Sequence, residues 1–153
     1  MKNNIDYLAF SEQDSADIKN LYYLSFVDFD SVRFQKSILE LKSFSDGMHY
    51  SGYVWDFLKK ASIVKEKTCL NILRDSKVSL MVFVDNHSVE KAVDSNLWPE
   101  NKTRVLEFSS KVLIENIFNL PEDIYVFDAS FSWTIVFTHE YLDKNRRYCL
   151  YSM

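Results

Sequence analysis

The end of the chain alternates between apolar and polar side chains with the two-residue period of a β-strand. The alternation is clear over residues 132–141, and the segments 123–128 and 146–152 on either side are also predicted to be strands. One face of the middle segment carries Trp133, Ile135, Phe137, His139 and Tyr141, and the other carries Ser132, Thr134, Val136, Thr138 and Glu140. Three such segments joined by short turns predict an antiparallel meander.

Another strand signal lies upstream, at residues 77–85. Its sequence, KVSLMVFVD, is apolar on both faces instead of at alternate positions. Strands of this kind are covered on both sides, so we expect this one inside the sheet and not at an edge. Residues 87–101 are rich in polar side chains and are predicted to form a loop with a short helical piece.

The first half of the chain has helical spacing. Ser11, followed by acids at Glu12, Asp14 and Asp17, is typical of a capped helix start. Further helices are predicted to begin near residues 30 and 49 and to span 64–76. The clearest helical pattern covers 102–119, where Asn101 can act as the cap. Its polar positions are Arg104, Glu107, Lys111 and Glu115.

Helices first and an antiparallel meander last indicate an α+β fold. We expect N-terminal helices packed on a mainly antiparallel sheet that ends in a three-stranded C-terminal meander. The 153 residues are enough for one domain with a hydrophobic core, and they contain no repeat and no linker rich in proline, glycine or serine. The sequence therefore predicts a single domain over 1–153.

Composition argues against several classes of function. The chain has two glycines, too few for the phosphate-binding loops of P-loop proteins or of dinucleotide-binding folds. The net charge is −4, and residues 1–30 account for it with six acids and two bases. Direct binding of nucleic acid is not expected, because nucleic-acid binders carry basic patches.

Two cysteines, Cys69 and Cys149, are far apart and fit no CxxC spacing for zinc or redox chemistry. No segment has the pattern of a secretory signal, and no run of apolar residues is long enough for a membrane helix. We therefore expect a cytoplasmic protein with reduced thiols, no membrane association, no cofactor and no metal. The oligomeric state stays open.

Candidate catalytic residues lie on the terminal strands. His139 and Glu140 are neighbours, so their side chains are expected on opposite faces and cannot bind one metal ion. Asp128 is expected at the far end of the same hairpin, about 24 Å from His139 for a rise of ~3.4 Å per residue. The acid, serine and histidine of this segment are therefore not expected to form a triad.

A turn near residues 142–145 predicts the register of the last two strands. Glu140 then lies opposite Arg147 as a cross-strand ion pair, and His139 lies opposite Tyr148. Cys149 pairs with residue 138 and faces away from His139, which argues against a Cys–His nucleophile. The sequence thus predicts a protein that is not an enzyme. The alternative, a small hydrolase or nucleic-acid-processing enzyme, would use His139 and Glu140.

Residues 120–140, LPEDIYVFDASFSWTIVFTHE, carry a distinctive series of acids, aromatic residues and threonines that ends in Thr-His-Glu. The segment resembles the C-terminal signature of small bacterial proteins grouped as a domain of unknown function. The residues of this chain that carry the motif are Asp123, Ile124, Tyr125, Asp128, Phe131, Trp133, Thr134, Thr138, His139 and Glu140. SGYVWDFL, residues 51–58, is similar to a second shared piece.

Some proteins of this kind accompany polymorphic or contact-dependent toxins as immunity proteins, so the resemblance implies binding to a cognate toxin. The acidity of the chain is compatible with that role, because many such toxins are basic nucleases and complementary charge speeds association. The candidate contact residues are Asp28, Asp30, Asp85, Asp94, Trp98, Glu100 and Glu140. A regulatory or scaffold protein without a toxin is the remaining alternative.

Overall fold

The strands define the architecture of the protein. The computed structural model describes residues 5–30, 42–43, 49–50, 53–85, 103–143 and 146–153. The strands in this part of the chain are β1 (Leu8–Ala9), β2 (Lys42–Ser43), β3 (His49–Tyr50), β4 (Ser62–Val64), β5 (Leu80–Val84), β6 (Leu106–Phe108), β7 (Ile124–Phe127), β8 (Thr134–Asp143) and β9 (Arg146–Ser152). Seven of them form one antiparallel sheet in the order β1-β6-β5-β7-β8-β9-β4, and β2 pairs with β3.

Helices lie between the strands. The described residues contain the α-helices α1 (Glu12–Phe26), α2 (Glu66–Asp75) and α3 (Ser110–Asn116), and the 3-10 helices Val54–Phe57 and Ile117–Asn119. The fold is α+β, as predicted, and β7, β8 and β9 form the C-terminal meander. Within the described ranges, no helix combines the length and apolar character that a bilayer-spanning segment requires.

The sheet separates two clusters of buried side chains. On one face, α1 packs Tyr22 and Phe26 against the sheet, and the Tyr22 ring centroid lies 4.9 Å from those of both Phe83 and Phe127. Such tilted and edge-on contacts add about 0.5–1.5 kcal/mol to the free energy gained by burial. We call this group the aromatic cluster, and its buried members are Tyr22, Phe26, Trp55, Met81, Phe83, Val105, Tyr125, Phe127, Val136 and Leu150.

The opposite face is mainly aliphatic and is covered by α2 and α3. Cys69 and Leu73 of α2 and Leu113 of α3 are fully buried there. β5 supplies both faces, since Met81 and Phe83 belong to the aromatic cluster while Leu80, Val82 and Val84 belong to this aliphatic cluster. Its position between β6 and β7 confirms the prediction of an interior strand.

Two helices follow their predictions. α1 begins after Ser11, whose Oγ accepts a hydrogen bond from the backbone N–H of Asp14 at 3.1 Å. That bond satisfies one of the free amide groups at the helix start, and the acids of the first turn favour its positive end. α2 falls inside the predicted range 64–76 and buries Leu73 as expected.

The predicted helix over 102–119 is wrong in its first half. Leu106–Phe108 is strand β6, which pairs with both β1 and β5, and the helix begins at Ser110 with Ser109 as its cap. Leu106 and Phe108 are buried while Glu107 between them is only partly so, which is strand alternation. Glu107 and Lys111, predicted to share the polar face of one helix, therefore lie on different elements.

The helix predicted from His49 is also wrong. His49–Tyr50 is a strand, and the only described helix in that predicted range is the 3-10 helix Val54–Phe57. Most of the helix predicted near residue 30 would lie within 31–41, and the loop predicted over 87–101 would lie within 86–102. Both ranges lie outside the described residues.

The predicted register of the last hairpin is shifted. Tyr141, and not Glu140, lies opposite Arg147, and Cys149 lies opposite Phe137 instead of residue 138. Between the pairs Phe137–Cys149 and Tyr141–Arg147, β8 advances four residues and β9 only two, so β8 has two extra residues there, an irregularity of the β-bulge kind. His139 lies inside this irregular stretch.

Candidate functional site

The imidazole of His139 is held by a buried carboxylate. Its Nδ1 lies 2.9 Å from Asp123 Oδ1 and 3.1 Å from Oδ2, and its backbone N–H donates to Oδ1 at 2.9 Å. The Asp123 side chain is 3% exposed and that of His139 is 31% exposed. A carboxylate at Nδ1 favours the proton on that nitrogen. Nε2 has no hydrogen-bond partner among the described residues and is the nitrogen that can contact a ligand.

The bulge determines which face of the sheet His139 occupies. Strict alternation predicts that His139 shares a face with Phe137, which is part of the aliphatic cluster. Instead the His139 ring lies 5.1 Å from the ring of Tyr53 and 6.4 Å from that of Trp55, which pack with the aromatic cluster. The irregular stretch of β8 thus turns the imidazole towards the side of the sheet that α1 covers.

A second buried carboxylate, that of Asp85, is hydrogen-bonded to the residues around His139 and Asp123. Asp85 Oδ2 accepts hydrogen bonds from the Tyr125 hydroxyl at 2.5 Å and from the backbone N–H of Val54 at 3.2 Å. Its own backbone N–H donates to the carbonyl of Asp123 at 3.0 Å. Asp85 therefore connects the strand that carries Asp123 to the 3-10 helix beside His139.

The hydroxyl of Tyr125 completes this connection. It accepts a hydrogen bond from the backbone N–H of Trp55 at 3.0 Å while it donates to Asp85. Burial, together with the charge of Asp85, raises the pKa of Tyr125 well above its ordinary value, so the phenol keeps its proton and remains a donor. The contacts fix Tyr53 and Trp55 next to the imidazole.

The motif residues around the β7–β8 turn have internal partners. Asp128 accepts from the indole N–H of Trp133 at 2.8 Å and from the backbone N–H of Ser130 at 2.9 Å. Thr134 is buried, where its Oγ1 donates to the Val126 carbonyl at 3.0 Å and lies 2.8 Å from the Tyr22 hydroxyl. These contacts close the turn and attach α1 to the sheet, so they are structural.

The structure confirms that Asp128 does not orient His139, since its described contacts all lie within the turn. The carboxylate that does so, Asp123, was missed as a partner. The register of β7 and β8 pairs Ile124 with Phe137, so the preceding residue, Asp123, comes next to the bulge. A hairpin register drawn from the β7–β8 turn places Asp123 opposite Thr138, but strict alternation then puts the side chain of His139 on the other face, so the contact depends on the irregular stretch of β8.

The outer surface of α1 is acidic and apolar. Asp14, Asp17, Leu21 and Leu24 recur at helical spacing on one exposed side, and Phe29 and Asp30 follow the end of the helix. Leu21 is 51% exposed, Leu24 68% and Phe29 39%. We call this the α1 surface, defined by Asp14, Asp17, Leu21, Leu24, Phe29 and Asp30.

Few cationic groups lie near the α1 surface in the described part of the chain. Lys19 is turned inward, where its Nζ donates to the carbonyl of Thr103 at 2.8 Å and lies 5.7 Å from the Phe83 ring centroid. Burial lowers the pKa of Lys19. Lys59 reaches the helix end and donates to the carbonyl of Leu24 at 3.4 Å. The carboxylates of Asp14 and Asp17 thus face solvent without an ion pair among the described residues.

Four of the seven predicted contact residues lie in the described part of the chain. Asp28 is half-buried and Asp30 exposed at the end of α1, whereas the expected exposure of Asp85 is wrong because that residue is 3% exposed. Glu140 is exposed in the irregular stretch of β8, where its backbone N–H donates to Thr138 Oγ1 at 3.3 Å. The remaining candidates, Asp94, Trp98 and Glu100, lie outside the described residues.

The cysteines have no contact with His139 in the described structure. Cys69 and Cys149 are free thiols, both fully buried in the aliphatic cluster. A hydrogen bond with Cys149, together with burial, raises the pKa of the Cys69 thiol, so the reactive thiolate is disfavoured. The described residues also contain no group of three or more His, Cys, Asp or Glu side chains placed to bind a metal ion.

No family model, curated protein or solved structure matches this chain.

Proposed function

We propose that this protein is an immunity protein that acts in the cytoplasm, where it binds a cognate bacterial toxin with a basic surface and blocks it without catalysis. The observation that carries the proposal is the α1 surface, on which three large apolar side chains are exposed among acids. Apolar and aromatic anchors surrounded by polar residues are typical of surfaces that bind proteins. The sequence resemblance of residues 120–140 supports the same role.

The two kinds of side chain on the α1 surface have different effects on binding. Asp14, Asp17 and Asp30 attract a basic partner over a distance and so raise the association rate, an effect that salt screens. Leu21, Leu24 and Phe29 lose contact with water in the complex and so slow dissociation. The toxin would be inhibited because the acidic surface covers its cationic active site.

Co-expression with the product of the adjacent gene tests the proposal. If that product is a toxin, the wild-type chain rescues growth and forms a complex that survives purification. We expect L21D/L24D to weaken the complex at least about tenfold, because two apolar contacts are replaced by solvated charges. D14K/D17K is expected to slow association at low salt and to have less effect at high salt.

A matched control is available on the other face of the sheet. Asp75 at the end of α2 and Glu115 of α3 are both exposed, and D75K/E115K changes the net charge as much as D14K/D17K does. The control should keep the affinity within about twofold. Equal losses for the two double variants would reject the α1 surface as the contact. If the wild-type chain neither rescues growth nor forms a complex, the immunity function is rejected.

The contact between His139 and Asp123 favours a second candidate function, a small hydrolase. In that case Nε2 of His139 would accept a proton from water or a substrate, and Asp123 would be a positioning residue that fixes the tautomer. H139Q keeps a polar side chain but removes the imidazole base. If H139Q rescues growth as well as the wild type does, the hydrolase is rejected. If it folds but loses rescue while the purified complex persists, the immunity mechanism of simple blockade is rejected.

A further inference from the structure

An open cleft lies where the end of α2 meets the start of α3. Its volume is about 640 Å³, within the range of small-molecule sites. The residues that line it are Arg74, Ser76, Lys77, Val78, Ser79, Ser109, Ser110, Lys111, Ile114 and Glu115. They come from two helices and from the segment that leads into β5, so sequence spacing did not indicate the site.

The cleft is cationic although the chain as a whole is acidic. Arg74, Lys77 and Lys111 face a single carboxylate, that of Glu115. Lys77 and Lys111 are exposed and have no hydrogen bond or ion pair to any other described residue, whereas Arg74 donates to Asn71 at 2.9 Å. Two ammonium groups are therefore free to bind an anion, with the guanidinium beside them.

The walls of the cleft are fixed by hydrogen bonds. The hydroxyl of Ser110 donates to the carbonyl of Leu73 and so joins α3 to α2. Ser109 Oγ accepts from the backbone N–H of Val112 at 3.3 Å, and Ser76 Oγ donates to the carbonyl of Val78 at 3.2 Å. The hydroxyl of Ser79 has no partner among the described residues. The shape is thus preformed, and Ser79 adds a neutral donor next to the lysines.

The lining of the cleft also includes two apolar side chains. Val78 is 55% exposed, and Ile114 on α3 is partly buried. These side chains offer a surface for a ring or another apolar group at one side of an anionic ligand. A site with convergent cationic groups and an apolar wall has the composition that small anionic ligands require.

We propose that this cleft binds a small phosphorylated molecule with a flat apolar portion, of which a nucleoside phosphate is the simplest example. Lys77, Lys111 and Arg74 bind the phosphate oxygens, and Val78 with Ile114 contacts the apolar portion. The ligand does not need a glycine-rich loop, because side chains and not backbone amides contact the phosphate. The cleft lies between α2 and α3, on the face of the sheet opposite α1, and so is separate from the α1 surface.

Calorimetric titration of the full chain with ATP, inorganic pyrophosphate and adenosine tests the proposal. ATP should bind more tightly than pyrophosphate because it also contacts the apolar wall, and adenosine should bind at least about tenfold more weakly because it lacks phosphate. Raising the salt concentration should weaken ATP binding. ATP binding no tighter than that of adenosine, or no ATP binding at all, would reject the cleft as a phosphate site. Equal binding of ATP and pyrophosphate would reject the role of the apolar wall.

Substitution of the two free lysines locates the site. K77Q/K111Q should weaken ATP binding at least about tenfold. K65Q/K67Q is the control, since it removes the same charge from two exposed positions at the start of α2, outside the cleft. If both double variants weaken binding equally, the attraction is general and the site is rejected. The growth rescue proposed for the α1 surface should be unaffected by K77Q/K111Q, so the two proposals fail independently.

Discussion

Two carboxylates lie at the two ends of β7, and each is in contact with a ring nitrogen of a residue near or on β8. Asp128, after the strand, accepts from the indole of Trp133, five residues on. Asp123, before the strand, is bonded to the imidazole of His139, sixteen residues on. The two contacts stabilise opposite ends of the β7–β8 pair. They differ in whether the ring keeps a second nitrogen that can bind a ligand.

The difference comes from burial and from the ring. Asp128 is in a partly exposed turn, and the indole has a single nitrogen, so the bond from Trp133 leaves that ring no further polar group. Asp123 is buried, and an imidazole that is bonded through Nδ1 retains Nε2. The comparison shows that one sequence motif combines residues that close a turn with one residue, His139, that remains available for contact.

Removal of the buried carboxylate should have the largest effect. D123A leaves the backbone N–H of His139 without its acceptor in a site where water cannot fully replace it. We expect the free energy of unfolding to fall by about 2–4 kcal/mol, as is typical when a charged partner is removed from a buried hydrogen-bond set. Urea unfolding of D123A and of D128A measures the contrast. If the free energy of unfolding falls as much for D128A as for D123A, or more, the expected difference between the two carboxylates is contradicted.

The next effect should come from Thr134, which is part of the motif and buried. T134V keeps the shape but leaves the Tyr22 hydroxyl without its partner at 2.8 Å, so we expect a loss of about 1–2 kcal/mol. Y22F/T134V removes both polar groups and should be more stable than the sum of the two single variants predicts. Strict additivity in urea unfolding would show that this hydrogen bond does not couple α1 to the sheet.

Most of the fold could be predicted where one period dominates. Residues 132–141 alternate clearly, β5 is a continuous apolar run, and α2 has helical spacing with a buried face. Residues 105–108 fit both periods, because Val105, Leu106 and Phe108 also lie close together on a helix. Their strand state depends on pairing with β5, which is more than twenty positions away, and such tertiary contacts override local pattern.

The site was predictable only in part. Once the turn is known, the β7–β8 register places Asp123 opposite Thr138 and so close to His139 along the chain. The bulge that turns His139 towards Tyr53 and Trp55 has no marker in the sequence, since neither glycine nor proline lies there. The bond from Tyr125 to Asp85 joins residues 40 positions apart, and periodicity contains no information about such pairs. The cationic cleft was missed for the same reason.

A smaller effect is expected for the indole at the exposed end of β7. W133F keeps an aromatic ring in place but removes the N–H that Asp128 accepts. The free energy of unfolding should fall by about 0.5–1.5 kcal/mol, which is less than for D123A because solvent can reach the carboxylate of Asp128. W133F in a D128N background should have a smaller effect still. An unchanged loss there would mean that packing of the larger ring, and not its hydrogen bond, stabilises the turn.

The smallest effect should be the pH dependence of the turn. Burial by itself raises the pKa of Asp128, but the hydrogen bonds from the hydroxyl and N–H of Ser130 and from Trp133 outweigh it and lower the pKa below its ordinary value. A carboxyl whose pKa is lower in the folded state stabilises the protein above the unfolded pKa, and that contribution is lost as pH falls through the folded pKa. Because Asp128 is partly exposed to solvent, which screens its charge, we expect at most about 0.5 kcal/mol. This contribution of Asp128 is measured by urea unfolding of the wild type and of D128N, each near neutral pH and at about pH 3. The difference between the two proteins should shrink in acid, and a difference that grows would assign the stabilisation to the protonated carboxyl.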